Sequence, residues 1–309
     1  MNDNSLHATD ILDQIIATKR QELAARVEAH ASESDLRAIP FEGVKGVKAQ
    51  RARSLRQALL DSPTGIIAEF KRKSPSRGWI HADARPEEVV PAYAAAGAAA
   101  LSILTDERYF GGSLEFIRRV RPLVDLPILR KDFIIDPVQL VEARQAGADA
   151  VLLIAACLGR GDCAALTAEA HRLGLEVLLE IHSAEELDYI TPDIDVVGVN
   201  NRHLGTFVTD VRTSFDLASR LKEIPGQARN DYEETRNDYA GARNDGDNFF
   251  AVIPAEEPES PVFISESGIR EAGTVRALRE AGYRGFLMGE NFMKHDEPGA
   301  ALAAFIQAI

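Results

Sequence analysis

The feature that most constrains the fold of this chain is a repeated alternation of short apolar runs with longer segments of helical periodicity. Eight apolar runs follow Gly65, at residues 66–71, 99–104, 127–131, 150–154, 175–180, 195–200, 261–265 and 285–289. Helical spacing of apolar residues marks segments between them, namely 86–96, 114–123, 137–146, 162–173 and 271–281. Near-continuous apolar strands are typical of parallel sheets that helices cover on both faces. The pattern therefore predicts a parallel α/β fold.

Eight strand–helix repeats predict a closed (β/α)8 TIM barrel over residues 61–309. The alternative is an open, doubly wound sheet. This fold is disfavoured because the first strand is followed by Lys-Arg-Lys-Ser-Pro at residues 71–75. A dinucleotide-binding fold of that type would have a glycine-rich fingerprint there. Residues 9–29 and 54–60 also have helical periodicity. We therefore expect residues 1–60 to form an N-terminal helical extension that packs on one end of the barrel.

One connection in the repeat is much longer than the others. The predicted strands start 20 to 33 residues apart, except that the sixth and seventh start at 195 and 261. The excess, residues 225–261, contains Arg-Asn-Asp at Arg229, Arg236 and Arg243. It has 3 Arg and 9 acidic residues, so its net charge is 3 − 9 = −6, which is part of the chain's −13. Because this composition opposes helix and a packed core, we expect a flexible insertion on the face opposite the active site.

Composition excludes several classes of protein. A net charge of −13 argues against nucleic acid as a partner, although a local basic pocket can still hold a small anion. No apolar run approaches the roughly 20 residues that span a bilayer, and the N-terminus lacks the pattern of a signal peptide. Cys157 and Cys163 match no common zinc or redox spacing, so we expect buried structural thiols in a cytoplasmic protein.

Polar or ionisable side chains follow seven of the eight predicted strands, while the fourth ends in Ile154 and alanines. The carboxyl ends of the strands form the active site in barrels of this kind, so we expect these side chains at one rim. Because strand side chains alternate, Glu69 and Lys71 are expected to face the substrate. Arg72 is expected to face the helices or solvent.

The turns after the last two strands predict a phosphate site. Ser267-Gly268 follows the seventh strand and Gly289-Glu290 follows the eighth. Loops at these positions commonly hold phosphate through backbone N–H groups, and glycine allows a close approach. Lys71 or Lys73 can add a positive charge. We therefore expect a phosphorylated, anionic small molecule as the substrate.

Five motifs at five strand ends resemble those of the indole-3-glycerol-phosphate synthase family of tryptophan biosynthesis. They are Glu-Phe-Lys-Arg-Lys-Ser-Pro-Ser at 69–76, Arg-Lys-Asp-Phe at 130–133, Leu-Leu-Glu-Ile-His at 178–182, Val-Asn-Asn-Arg at 199–202 and Ser-Glu-Ser-Gly-Ile at 265–269. The resemblance covers residues 9–309 apart from the insertion. It implies a carboxy-lyase that closes the indole ring of 1-(2-carboxyphenylamino)-1-deoxyribulose 5-phosphate, releasing carbon dioxide and water with no metal or organic cofactor.

The resemblance also implies the roles of individual residues. Lys131 is similar to the general acid, Glu180 to the acid/base of the dehydration, and Lys71 to a lysine that binds the anionic substrate and shares in proton transfer. Which lysine delivers the first proton stays open. Three further catalytic positions that orient the substrate are matched by Glu69, Asn200 and Glu266. Substrate-binding positions are matched by Ser74, Phe133, Arg202, Ser267, Gly268, Gly289 and Glu290.

Two other functions compete with this one. An isomerase of the same barrel type, such as phosphoribosylanthranilate isomerase, shares the phosphate end but relies on a Cys/Asp pair, and Glu69 and Lys71 stand at the first strand end here. A catalytically silent barrel used for binding requires the strand-end charges to be dispensable. We expect a monomer, and other enzymes of the tryptophan pathway are the partners to test.

Overall fold

The computed structural model describes residues 11–29, 53–203, 208–224 and 261–309. Within these residues the strands are β1 (Ile66–Phe70), β2 (Lys73–Ser74), β3 (Gly78–Trp79), β4 (Ala100–Leu104), β5 (Ile128–Lys131), β6 (Ala150–Ile154), β7 (Glu176–Ile181), β8 (Val196–Asn200), β9 (Val262–Glu266) and β10 (Gly285–Met288). β1 and β4 to β10 form a closed barrel of parallel strands, while β2 and β3 form a short antiparallel hairpin after β1. The barrel prediction is confirmed, and the open sheet is excluded because β1 pairs with both β4 and β10.

Helices cover the outside of the barrel and its ends. They are α1 (Ile11–Ala29), α2 (Leu55–Asp61), α3 (Pro86–Ala95), α4 (Glu107–Phe110), α5 (Leu114–Val120), α6 (Pro137–Ala146), α7 (Arg160–Arg172), α8 (Arg212–Lys222), α9 (Ala272–Glu280), α10 (Glu290–Met293) and α11 (Pro298–Gln307). After β7 the connection is a 3₁₀ segment, Ala184–Tyr189. No helix of the described part of the chain is long and apolar enough to cross a membrane.

The predicted strands agree with the observed ones to within one residue at each end. Alternation along each strand divides the apolar core into two layers. Ile67 packs inside the barrel, whereas Ile66 and Ala68 pack against the helices outside. Glu69 therefore shares the inward face with Ile67, and Phe70 points outward with Ala68. This alternation places a carboxylate inside the barrel at the end of an apolar strand.

The two N-terminal helices lie at opposite ends of the barrel, and not at one end as the sequence pattern suggested. Ile15 of α1 belongs to the interior cluster, and α1 lines the cavity at the carboxyl ends of the strands. α2 lies at the other end, where the backbone N–H of Arg56 donates to Glu176 Oε2 at the start of β7. Ser54 accepts from the Gln57 N–H and begins α2. Each helix therefore covers a different opening of the barrel.

Two other sequence expectations concern the insertion and the cysteines. The predicted insertion lies outside the described residues, apart from Pro261. Cys163 is buried and Cys157 is half-buried, and both thiols are free. Burial raises the pKa of both thiols, which makes them poor nucleophiles.

Candidate active site

The carboxyl ends of the barrel strands surround a cavity of about 580 Å³. The structure brings every residue matched to a catalytic or substrate-binding position to the wall of this cavity. They are Glu69, Lys71, Ser74, Lys131, Phe133, Glu180, Asn200, Arg202, Glu266, Ser267, Gly268, Gly289 and Glu290. The register explains part of this convergence, because Asn200 of β8 lies directly beside Glu266 of β9.

Lys131 of β5 lies between two carboxylates, one from β7 and one from β9. Its Nζ is 2.8 Å from Glu180 Oε2 and 3.6 Å from Glu266 Oε2. Burial alone would lower the pKa of Lys131, but the negative charges of Glu180, Glu266 and Glu69 outweigh burial and raise it. Lys131 is therefore held as an ammonium ion at the floor of the cavity.

The two carboxylates around Lys131 are held in different states. Burial acts to raise both pKa values, but Lys131 and His182 hold the pKa of Glu180 well below its usual range. The pKa of Glu266 is raised, because burial and the nearby charges of Glu180 and Glu69 outweigh Lys131. Its Oε1 is also buried without a hydrogen-bond partner among the described residues. The site therefore pairs an ionised carboxylate with one that takes up a proton readily.

His182 lies behind Glu180 and was not assigned a role from the sequence. Its Nε2 is 3.4 Å from Glu180 Oε1, and its Nδ1 is 3.6 Å from Glu186 Oε2. Burial alone would lower the pKa of His182, but the two carboxylates raise it to about 9. An imidazolium therefore supports the charge of Glu180 from outside the cavity. The sequence did contain a signal for this contact, because residues two apart along a strand lie on the same side and His182 follows Glu180 by two.

Two glycines leave room for the inward carboxylates. Glu69 Oε2 is 2.7 Å from Lys71 Nζ, and a Cβ on Gly289 would overlap the Glu69 carboxylate. A Cβ on Gly198 of β8 would likewise overlap Glu266 Oε1. Gly289 was expected to admit a phosphate, and the structure gives it this second role. Gly198 was not singled out from the sequence, because its neighbour belongs to another strand.

The basic residues after β1 separate into different environments. Arg72 Nη2 donates to the Gly111 carbonyl oxygen at 2.8 Å, which confirms that it faces away from the cavity. Lys73 Nζ donates to the Arg108 carbonyl oxygen at 3.0 Å and is not part of the cavity wall. The suggestion that Lys73 supplies charge to a phosphate is therefore wrong. Arg77, in the turn between β2 and β3, does line the cavity and was missed.

The turn after β9 has an unusual backbone. Ser267 has φ of 66°, and it is the one non-glycine residue with positive φ among those described. Gly268 follows with φ of 77°. The Asn201 side-chain amide donates to the carbonyl oxygens of Glu266 at 2.9 Å and Ser267 at 3.1 Å, which holds the turn in place. Strain of this kind is typical of positions with a binding role.

Arginine and glutamate side chains face each other across the mouth of the cavity. Glu290 is 3.2 Å from Arg77 Nη2 through Oε1 and 3.5 Å from Arg202 Nη2 through Oε2. Arg202 Nη1 also donates to Ser76 Oγ at 3.0 Å. These contacts join the loops after β1, β8 and β10 beside the Ser267-Gly268 turn.

One wall of the cavity is apolar, and the sequence located only part of it. Phe133 was expected there, whereas Phe110 of α4 and residues 11, 12 and 15 of α1 were not. The periodicity of α1 shows that it must dock on something, but a periodic pattern does not specify the partner surface. The cavity therefore has an apolar wall opposite its charged floor.

The fold and the cavity together define a class of protein. A (β/α)8 barrel with buried acid–base groups at the carboxyl ends of its strands, an apolar wall and a strained glycine turn is an enzyme that acts on a small anionic molecule.

Comparison with known proteins identifies the family. The sequence profile described as "Indole-3-glycerol phosphate synthase" matches residues 12–226 and 246–305. An indole-3-glycerol phosphate synthase of Bacteroides thetaiotaomicron is 52% identical over 300 residues, which cover 97% of this chain and 99% of that protein. Those of Carboxydothermus hydrogenoformans and Burkholderia vietnamiensis are 42% and 38% identical, over 82% and 96% of this chain and 84% and 98% of theirs. The chain belongs to the indole-3-glycerol phosphate synthase family.

Proposed function

We propose that Lys131, Glu180 and the groups around them carry out the carboxy-lyase reaction of this family in tryptophan biosynthesis. The reaction closes the indole ring of 1-(2-carboxyphenylamino)-1-deoxyribulose 5-phosphate and releases carbon dioxide and water. The observation that carries the assignment is the Lys131 ammonium, which lies 2.8 Å from a buried ionised carboxylate at the floor of the cavity. Such an ammonium suits a step in which negative charge develops on a carbonyl oxygen.

Ring closure requires a proton at the ketone oxygen. The aromatic carbon that bears the carboxylate attacks the ketone carbon, a carbon–carbon bond forms, and the oxygen becomes a hydroxyl group. Lys131 is proposed to donate this proton, and positioned general acids contribute roughly 10²–10⁴-fold to a rate. The carboxylate then leaves as carbon dioxide, and its bonding electrons restore the aromatic ring. The apolar wall favours this loss because it solvates the charged carboxylate poorly before neutral carbon dioxide leaves.

Dehydration completes the indole. The hydroxyl group leaves as water with an added proton, while a base removes a proton from the neighbouring carbon. Glu180 is ionised and suits the base, and Glu266, which takes up a proton more readily, is proposed to supply the acid because Lys131 has already given its proton to the ketone oxygen. Lys71, beside Glu69, is proposed to bind the anionic substrate and to share in proton transfer.

Binding of the substrate divides between the two sides of the cavity. The turns at Ser267-Gly268 and Gly289-Glu290 are proposed to receive the phosphate through backbone N–H groups, with Arg202 nearby. Ser74 Oγ is buried at the cavity without a hydrogen-bond partner among the described residues, so it is available to a substrate hydroxyl. Phe133 belongs to the apolar wall that is proposed to hold the carboxyphenyl ring.

The test is turnover by two variants, followed by the absorbance and fluorescence of the indole product. Lys131→Met and Glu180→Gln are each expected to lower kcat by about 10²–10⁴-fold while the circular dichroism spectrum stays that of the parent. Lys73→Met is the control, because it removes an ammonium from the same rim but outside the cavity. Retained turnover in both site variants would show that these assignments are wrong.

The remaining expectations belong to the same proposal. We expect a monomer in the cytoplasm with a flexible insertion at 225–261. Sedimentation velocity would reveal an oligomer, and slow proteolysis within 225–261 would contradict the flexible insertion.

A further inference from the structure

Lys19 of α1 is a buried lysine with no part in the proposed chemistry. It is only 4% exposed, and its Nζ lies 2.9 Å from Glu22 Oε2, 3.0 Å from Asp106 Oδ2 and 3.2 Å from Asp132 Oδ1. Burial would lower the pKa of Lys19, but the charges of Asp132 and Asp106 outweigh it and raise the pKa. A buried ammonium is tolerated only when carboxylates surround it, so Lys19 can occupy this position only while its acidic partners stay in place.

The two aspartates belong to the rim of the active site. Asp106 follows β4 and accepts from the Tyr109 N–H at 2.8 Å, which starts α4. Asp132 follows Lys131 directly, and its Oδ2 accepts from Thr105 Oγ1 at 2.6 Å and Arg130 Nη2 at 3.0 Å. Because both carboxylates are fixed by other contacts, Lys19 binds to a rigid part of the barrel.

The same face of α1 forms part of the cavity wall. Ile11, Leu12 and Ile15 line the cavity, and Lys19 lies one turn beyond Ile15 on the same side of the helix. Thr18 Oγ1 and the Tyr109 hydroxyl, 2.9 Å apart, add a second contact beside it. The apolar wall is thus attached to the barrel through the middle of α1, at Lys19.

We propose that Lys19 is a positioning residue for substrate binding. Its ion pairs with Asp106 and Asp132 hold α1 against the rim, so that the apolar face of the helix closes over the aromatic part of the substrate. Lys19 touches no reacting atom, and its effect reaches the substrate through α1. The inference rests on the proposed function for the identity of the substrate, and it does not depend on which group transfers the proton.

This role predicts an effect on binding more than on turnover. When α1 is released, the substrate loses apolar contacts that are present equally in the ground state and the transition state. Loss of such uniform binding raises KM and leaves kcat nearly unchanged. A general loss of folded protein would instead lower the measured kcat at an unchanged KM, because fewer molecules are active.

The experiment compares Lys19→Met with Arg20→Met and Lys19→Arg. Lys19→Met is expected to raise KM by about tenfold or more with kcat within about threefold of the parent. Arg20 is the exposed neighbour on the same helix, so Arg20→Met is expected to keep the parent KM. Lys19→Arg keeps the charge, so its KM is expected to lie between those of the parent and of Lys19→Met. An unchanged KM in Lys19→Met, or a fall in kcat alone, would overturn the proposal.

Two further measurements keep the test decisive. If Lys19→Met does not fold, Asp106→Asn is the alternative. It removes one of the charges that hold Lys19, nearly preserves the shape of the side chain, and is expected to raise KM by a smaller factor. Binding of the product indole-3-glycerol phosphate, measured by calorimetry, is expected to weaken in the same variants. Weaker product binding in Lys19→Met together with full turnover in Lys131→Met would contradict the proposed catalytic roles and leave the role of Lys19 standing.

Discussion

Buried carboxylates lie at both ends of the barrel, but their partners differ. At the amino ends of the strands, Asp149 Oδ2 accepts from the Ile128 N–H at 2.9 Å and from Arg121 Nη1 at 2.7 Å. At the carboxyl ends, Glu266 is 3.6 Å from Lys131 Nζ, and its Oε1 has no hydrogen-bond partner among the described residues. Asp149 is satisfied at one end, whereas Glu266 keeps unused hydrogen-bonding capacity at the other.

The carboxylates at the amino end of the barrel accept hydrogen bonds from backbone N–H groups. Asp195 Oδ2 accepts from the Val177 N–H at 2.8 Å, and Glu176 Oε2 accepts from the Arg56 N–H at 2.9 Å. The Ile128 and Val177 N–H groups lie at the starts of strands and the Arg56 N–H lies in the first turn of α2, where these hydrogen bonds satisfy otherwise unpaired donors. The difference teaches that one type of side chain, the carboxylate, stabilises the barrel at one end and serves its chemistry at the other.

The largest expected effect tests the amino end. Asp149→Ala removes the partner of a largely buried arginine and of the Ile128 N–H, so we expect the free energy of unfolding to fall by about 3 kcal/mol. We expect kcat/KM to stay within about twofold of the parent, because the residue is at the end away from the cavity. Urea denaturation and steady-state kinetics provide the two measurements.

The controls for this prediction use shape and exposure. Because burial outweighs Arg121 and raises the pKa of Asp149, Asp149→Asn should destabilise less than the alanine variant. The side chain of Asp125 is 97% exposed, so Asp125→Ala should change stability little. A large loss of kcat in Asp149→Ala without loss of stability would break the division between the two ends.

The next effect tests the carboxyl end. Gly198→Ala puts a methyl group where the Glu266 carboxylate lies, and we expect kcat to fall by about 10–100-fold because a small displacement of a reacting group is costly. Overpacking should also lower the free energy of unfolding by about 1–3 kcal/mol. The matched control is Gly161→Ala in α7, where an added Cβ meets nothing within 4 Å. Unchanged kcat in Gly198→Ala would mean that the position of Glu266 does not limit the reaction.

The smallest effect concerns pH. The pKa of His182 is raised from 6.5 to about 9 in the folded chain, so its charge stabilises the fold fully below pH 6.5 and this stabilisation is lost as pH rises through 9. We expect His182→Asn to lower the free energy of unfolding by at most about 3 kcal/mol at pH 6, with a difference that disappears by pH 10. Denaturant titrations at several pH values would measure it. A difference independent of pH would exclude the charge as its cause.

A histidine at the amino end sharpens this comparison. His171 Nε2 is 2.8 Å from Asp195 Oδ2, but its side chain is 37% exposed. Solvent screens an exposed pair, so His171→Asn is expected to change the stability less than His182→Asn does.

Much of the fold and of the site was predictable from local sequence. The apolar strands and the helical segments repeat at short range, and their periodicities located the strand ends to within one residue. Because the carboxyl ends of parallel strands must meet at one rim, Lys131, Glu180 and Glu266 could be placed around one cavity before their distances were known. Alternation along β1 likewise assigned Glu69 inward and Arg72 outward.

Contacts between distant segments were decided only by the tertiary structure. Gly198 makes room for Glu266, Lys19 attaches α1 beside Lys131, and Lys73 lies outside the cavity, and no periodicity distinguishes these outcomes. A pKa, a hydrogen-bond partner and a steric overlap all depend on separations of a few ångströms, which closure of the barrel sets between residues far apart in the chain. The sequence by itself determined which groups reach the rim, and the tertiary structure determined their partners.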